Sequence, residues 1–175
     1  GKRRAAVAQM ITDKPMMDRY RWLGLAIGVA LADQGAKHWI AGTFPLGAGE
    51  TVLPFFNLVH ILNSGAAFSF LANAGGWQRY VFIALALVVS VGLTVMLLKG
   101  VANRWQGWGY SLLLGGAVGN LVDRLVQGAV VDYLDFHAGG WHWPAFNLAD
   151  TALCLSAFIL LLGTLLSSAQ SKATP

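Results

Sequence analysis

Hydrophobic and polar positions alternate here on the scale of whole segments. The clearest run, Tyr80 to Leu98, carries no charged residue, and at the helical rise its 19 or so residues make about 28 Å, close to the thickness of a bilayer's hydrocarbon core. Ala149 to Ser167 is similar, Leu-rich with Asp150 near its start, and Trp22 to Ala41 is apolar apart from Asp33 and Lys37. Those two are four residues apart, so one helical face brings them together as a pair. A fourth stretch, Trp108 to Val126, is rich in glycine and ends in Asn120, Asp123 and Arg124. Hydropathy alone scores it poorly, but small residues allow close helix packing in lipid. The pattern predicts four transmembrane helices.

Between the spans the period changes. Thr51 to Leu62 mixes turn residues with Val, Phe, Leu and Ile, and Ala129 to Tyr133 is β-prone, which predicts short strands forming a small sheet. Gly65 to Asn73 is apolar but too short to span, so it is expected to lie along the interface as a short helix. The expected fold is thus all-α and integral to a membrane, with four transmembrane helices, an outward-facing β-sheet and one interfacial helix. All of 1–175 forms a single membrane-embedded domain in this reading, with outer loops at 42–78 and 127–147. Met16 and Met17 are plausible native starts, so 1–16 reads as a tail or a non-native addition and carries no functional argument. Asp33 and Lys37 interrupt the first apolar run, which disfavours a cleaved signal peptide.

Composition agrees with the pattern: 56% of residues are hydrophobic and 11% charged. Such a chain is a membrane protein. The net charge of +4 raises the question of nucleic acid, but the cations collect at the ends of spans and not along a basic helix. Lys2, Arg3, Arg4, Lys14, Arg19 and Arg21 precede the first span, Lys99 and Arg104 separate the second from the third, and Lys172 follows the fourth. Neither outer loop contains Lys or Arg, so both termini are expected in the cytoplasm. Arg79 alone sits at the outer end of the second span.

Asp132 follows the third span and Asp150 begins the fourth, so both acids fall at the outer membrane surface. Two carboxylates a few ångströms apart share a proton, and such a pair can activate water with one member while the other protonates a carbonyl. That is the logic of an aspartyl protease. The plainer reading makes Asp150 a partner of the positive end of the fourth helix and Asp132 a solvated loop acid. Asn63, Asn120, Arg124 and Asn147 fall at the same predicted depth, where polar groups are costly, and this favours a site.

Other chemistries fit less well. Asp135, His137 and His142 could join Asp132 around a metal, but no fixed ligand spacing such as HExxH occurs, so no metal and no cofactor are expected. Ser64 and Ser69 lack an evident histidine partner. Cys154, the single cysteine, is expected to be buried within a span as an inert thiol. His38 and His60 read as satisfied polar residues, and Asp123 as a local ion pair with Arg124 or a support for the helix end. The rival from another class is a small transporter or lipid-binding scaffold with proton-carrying acids, which gives no reason for an outward sheet.

Five blocks, in order, are Asp33-Gln-Gly-Ala-Lys37, Asn63-Ser-Gly-Ala-Ala-Phe-Ser69, Gly115-Gly-Ala-Val-Gly-Asn-Leu-Val-Asp-Arg124, Val130-Val-Asp132 and Phe146-Asn-Leu-Ala-Asp150. On these the chain resembles the bacterial lipoprotein signal peptidases, or signal peptidase II. The resemblance implies a four-helix membrane aspartic endopeptidase with an outward β-cradle, which removes the signal peptide of a prolipoprotein just before a diacylglyceryl-modified cysteine. It implies Asp132 and Asp150 as catalytic, Asn63, Gly116, Asn120, Arg124, Asn147 and Ala149 as positions surrounding dyad and substrate, and Asp33 with Lys37 as structural. Its partners would be such prolipoproteins and membrane lipid, with no nucleic acid, acting as a monomer in the bacterial cytoplasmic (inner) membrane with the site on the periplasmic side.

Overall fold

The structure of the protein, a computed structural model, describes residues 2–65 and 75–172, with side chains described for 19–65 and 75–168. Four helices carry most of the chain: α1 (Lys2–Thr43), α2 (Trp77–Lys99), α3 (Arg104–Val126) and α4 (Leu148–Lys172). Their ends follow local chemistry. Gly100, at φ 99°, ends α2, and Asn103 opens α3 by accepting from the Gln106 amide while the Gln106 side chain accepts from Ala102, a reciprocal cap.

Two of the helices, Trp77–Lys99 and Leu148–Ser168, are long and apolar enough to cross a membrane. Helices α1 and α3 fall short in composition because their inward faces are polar. Asp33, Lys37, Ser111, Asn120 and Asp123 are all buried, whereas Ile27, Leu31, Leu85, Val88, Val91, Phe158 and Leu161 are exposed. Water would penalise that distribution and hydrocarbon would not.

Helix α3 is the hub, packing on the other three. Its glycines make this possible. A Cβ at Gly116 would stand 2.7 Å from the Ala149 carbonyl oxygen of α4, and one at Gly119 2.5 Å from the Asp33 carboxylate of α1. The apolar core at one end of the bundle gathers Trp22, Ala26, Leu93, Leu97 and Leu114.

At the other end lies an antiparallel sheet of order β1-β2-β3-β4, comprising β1 (Gly49–Leu53), β2 (Phe56–Asn63), β3 (Val130–Ala138) and β4 (Trp141–His142). The short strands expected over 51–62 are the hairpin of β1 and β2, and the one at 129–133 runs on to Ala138. Stacking explains the extension: Phe136 lies 4.8 Å from Phe56 and 5.9 Å from Phe146, centroid to centroid. Ile40 of α1 packs with Val131 and Tyr133, fixing the sheet to the bundle. The interfacial helix expected at 65–73 falls almost wholly outside the described residues.

Candidate active site

The register of β2 on β3 decides where the first acid sits. Ile61 pairs with Asp132 and Asn63 with Val130, after an irregularity between Leu58 and Ile61. This brings the Asn63 amide to Asp132, where Nδ2 donates to Oδ2 at 3.0 Å. The Asn63 carbonyl oxygen accepts from the Gly65 amide at 2.9 Å, so both ends of that side chain are engaged.

The second acid is placed by a helix start. Asn147 caps α4: its Oδ1 accepts from the Asp150 amide at 2.9 Å, and Asp150 Oδ2 accepts from the Asn147 amide at 3.2 Å. One oxygen of Asp150 therefore does serve the positive helix end, as the plainer reading supposes. Its other oxygen, Oδ1, accepts from Asn120 Nδ2 at 2.8 Å. Tyr133 secures the same turn, its hydroxyl accepting from the Leu148 amide at 3.2 Å, and burial pushes that phenol up to about 12.

Asn147 joins the two acids. Fully buried, it donates from Nδ2 to Asp132 Oδ1 at 2.8 Å while holding Asp150 through its carbonyl oxygen and its backbone amide. Asp132 is 2% exposed. Burial is the largest influence on it and the Asp150 charge adds to that, so its carboxyl is pushed up to about 6 even though Asn63 and Asn147 donate to it.

Behind the acids lies a buried network from α1 and α3. Lys37 Nζ meets Asp33 at 2.7 Å and Asp123 at 2.9 Å, and donates to Asn120 Oδ1 at 2.9 Å. Asp33 also accepts from the Ala149 amide at 2.8 Å, tying α1 to the first turn of α4. Asp123 accepts from the Val131 amide at 3.0 Å and from Gln34 Nε2 at 2.8 Å.

Several expectations change here. Asp123 pairs with Lys37 and supports β3, not Arg124. Arg124 donates to the Asn120 carbonyl oxygen at 3.3 Å and lies 4.9 Å over the Phe82 ring, with its Nε buried and unpartnered. Cys154 is not buried but exposed on the surface of α4. Asp135 bonds to Asn57 at 2.8 Å and to His142 at 2.8 Å, away from the partners of Asp132. Burial would push the Asp135 carboxyl up, but these donors hold it below the usual carboxylate range. Among the described residues no group of three or more His, Cys, Asp or Glu is placed to hold a metal ion. His38 and His60 each bond to a backbone carbonyl, of Gln34 and Phe44.

Gln34 and Phe82 were not expected at the site. Gln34 was legible as a polar residue one position after Asp33 in a span, whereas nothing marks Phe82 within its apolar run.

Comparison with known proteins decides the family. The model described as signal peptidase (SPase) II matches residues 25–166. The chain belongs to the signal peptidase II family. It is 45% identical over 154 residues to a lipoprotein signal peptidase of Yersinia enterocolitica, covering 87% of this chain and 91% of that one. A lipoprotein signal peptidase of Paraburkholderia phymatum is 49% identical over 140 residues, covering 80% and 84%. A solved bacterial membrane enzyme superposes with a TM-score of 0.75 at 28% identity, covering 89% of this chain and 93% of that one. A second gives 0.72 at 30% identity, covering 83% and 92%. Membership in the signal peptidase II family makes the chain a membrane peptidase.

Proposed function

We propose that the chain is an aspartic endopeptidase that cleaves the signal peptide from prolipoproteins immediately before a diacylglyceryl-modified cysteine, using Asp132 and Asp150. The observation that carries this reading is the position of Asn147, which bonds to both acids at once. Two buried or half-buried carboxylates sharing one amide are poised to share one proton, and burial favours Asp132 as its holder. The ionised acid takes a proton from a water as the water oxygen bonds to the scissile carbonyl carbon. The protonated acid gives its proton to the carbonyl oxygen. The tetrahedral diol then collapses: one of its hydroxyls returns a proton to the ionised acid as the C–N bond breaks, and the leaving amine takes the proton held by the other acid, which restores the singly protonated dyad.

Four spans, cytoplasmic termini and a site at the periplasmic surface of the inner membrane complete the proposal, supported by the lysine- and arginine-free outer loops. Asn63 and Asn147 are spent inside the protein on the acids. Arg124 is the group left to hold a substrate carbonyl or lipid ester, since its Nε has no partner. A substrate anchored in the bilayer would bring its scissile bond to the depth of the dyad without first desolvating a free peptide. No cofactor and no nucleic acid enter this scheme, and one copy of the chain supplies every group named.

The test is cleavage of a lipidated precursor by the purified protein beside its unlipidated counterpart. Preference for the lipidated form, insensitive to chelators and lost in Asp132→Asn and Asp150→Asn, is expected. Equal cleavage of the two precursors would reduce the protein to a generic intramembrane protease, and inhibition by a chelator would replace the aspartyl mechanism.

A further inference from the structure

None of the hydrogen bonds described for the two acids comes from helix α2, yet one residue of α2 touches the site from two sides. The Phe82 ring lies under the Arg124 guanidinium, 4.9 Å from its centroid. Gly65, at φ +100°, lies so close to the same ring that an added Cβ would stand 2.5 Å from it. Gly65 in turn donates to Asn63, whose amide holds Asp132. One half-buried aromatic side chain therefore packs against both the loop that holds the first acid and the arginine beside the second.

The way Phe82 holds Arg124 matters. A guanidinium carries five N–H donors in a plane, and an acid partner would occupy that edge, whereas an aromatic ring engages the face. Arg124 makes no ion pair among the described residues, and only Nη1 is engaged, at 3.3 Å to the Asn120 carbonyl oxygen. Its Nε is buried without a partner. Leaving a buried donor unmade is expensive, so its survival needs an explanation.

We infer that Phe82 is a positioning residue for substrate binding: its ring face holds the Arg124 guanidinium in place while leaving the N–H edge free for a carbonyl oxygen of the substrate. This rests on the reading of Arg124 as the substrate-holding residue. The alternative is that Phe82 only fills space between α2, α3 and the loop, in which case its loss acts on stability alone.

The experiment is a double-mutant cycle on the full-length protein in lipid, with kcat and KM measured on a diacylglyceryl-modified precursor. Phe82→Leu should lower kcat/KM about fivefold, mostly through KM, the size expected for one partly desolvated cation–π contact, with the pH profile of the dyad unchanged. Phe82→Tyr should restore the wild-type value. In an Arg124→Gln background the same Phe82→Leu change should have little further effect. Stepwise fluorination of the Phe82 ring, which keeps its shape and so spares folding, should lower log(kcat/KM) step by step. An equal loss from Phe82→Leu with and without Arg124, or no response to fluorination, would overturn the inference and leave Phe82 as packing. Arg124→Gln with wild-type kcat/KM would instead remove the reading of Arg124 beneath it.

Discussion

Lys37 reaches Asp150 through one amide: its Nζ donates to Asn120 Oδ1 at 2.9 Å, and Asn120 Nδ2 donates to Asp150 at 2.8 Å. The same ammonium neutralises Asp33 and Asp123, each 4% exposed or less. Removing one partner of a buried ion pair strands the others at a cost of about 3–5 kcal/mol. Lys37→Met should therefore leave two uncompensated carboxylates and show a large loss of yield and thermal stability in lipid. Asp33→Asn should be milder, because Lys37 keeps Asp123. A Lys37→Met protein with wild-type thermal stability and no activity would move this lysine from support into the chemistry.

Asn63 sets a pH dependence whose sign is fixed by its contact. Its amide donates to the Asp132 carboxylate, so it favours the ionised form and opposes the burial that lifts this group from 3.8 to about 6. Asp132 stays protonated below that value, and activity that needs the shared proton falls as pH rises through it. Asn63→Ala removes a stabiliser of the charge, so the basic limb of the kcat profile should move to higher pH by about one unit. Asp132→Asn and Asp150→Asn should be inactive but folded, and Asp135→Asn should keep most activity. Because the Asp132 carboxyl is raised on folding, wild-type stability should fall relative to Asp132→Asn as pH climbs from 4 or so past 6. A basic limb that stays in place or moves down in Asn63→Ala would show that Asn63 acts elsewhere.

Much of this arrangement was legible in the chain because its causes are local. Apolar runs of bilayer length marked the helices, and the four-residue spacing of Asp33 and Lys37 anticipated a contact of 2.7 Å. Asp150 was legible as a partner of the positive end of the fourth helix, and its Oδ2 accepts from the Asn147 amide there. What escaped depends on register and packing between distant segments. Asn63 was expected around dyad and substrate, but that it meets Asp132 follows from the β2–β3 register, with its irregularity between Leu58 and Ile61. Asp123 was read as a local pair with Arg124 or a support for the helix end, yet adjacent helical residues point apart and its partners come from α1 and β3. Phe82 is one apolar residue among many in α2, and only the structure separates it from those facing outward.

Gly116 and Ala149 form the seam between α3 and α4, where the backbone of one helix meets the side of the other. A methyl group at Gly116 would press on the Ala149 carbonyl oxygen at 2.7 Å, a backbone atom that cannot swing aside. The helices must part, and with them Asn120 and the acid it holds. Gly116→Ala is expected to cost about 1–3 kcal/mol in stability, as overpacking commonly does, and to lower kcat more than it raises KM. Gly92→Ala is the control, since nothing lies within 4 Å of that position. Equal behaviour of the two variants would show that the seam has slack.

The proposed orientation places the sheet outside and the turn between α2 and α3 inside, because the outer loops lack Lys and Arg while Lys99 and Arg104 flank that turn. Cysteine labelling tests it in a Cys154→Ala background, which is needed because the native thiol is exposed on α4. Glu50 in β1 and Ala138 at the end of β3 are both exposed, and Ala138 avoids the strain of a side chain at Gly139 and Gly140, whose φ values are 57° and 83°. Glu50→Cys and Ala138→Cys should react with an impermeant maleimide added outside intact cells whose outer membrane has been permeabilised. Ala102→Cys, exposed on the opposite side of the bundle, should react only after the inner membrane is opened. Both acids lie within reach of the sheet, since Asp132 is part of β3 and Asp150 is bonded to the residue that bridges them. Labelling of Ala102→Cys from outside would therefore reverse the helices and move the dyad to the cytoplasmic face, against the proposed orientation.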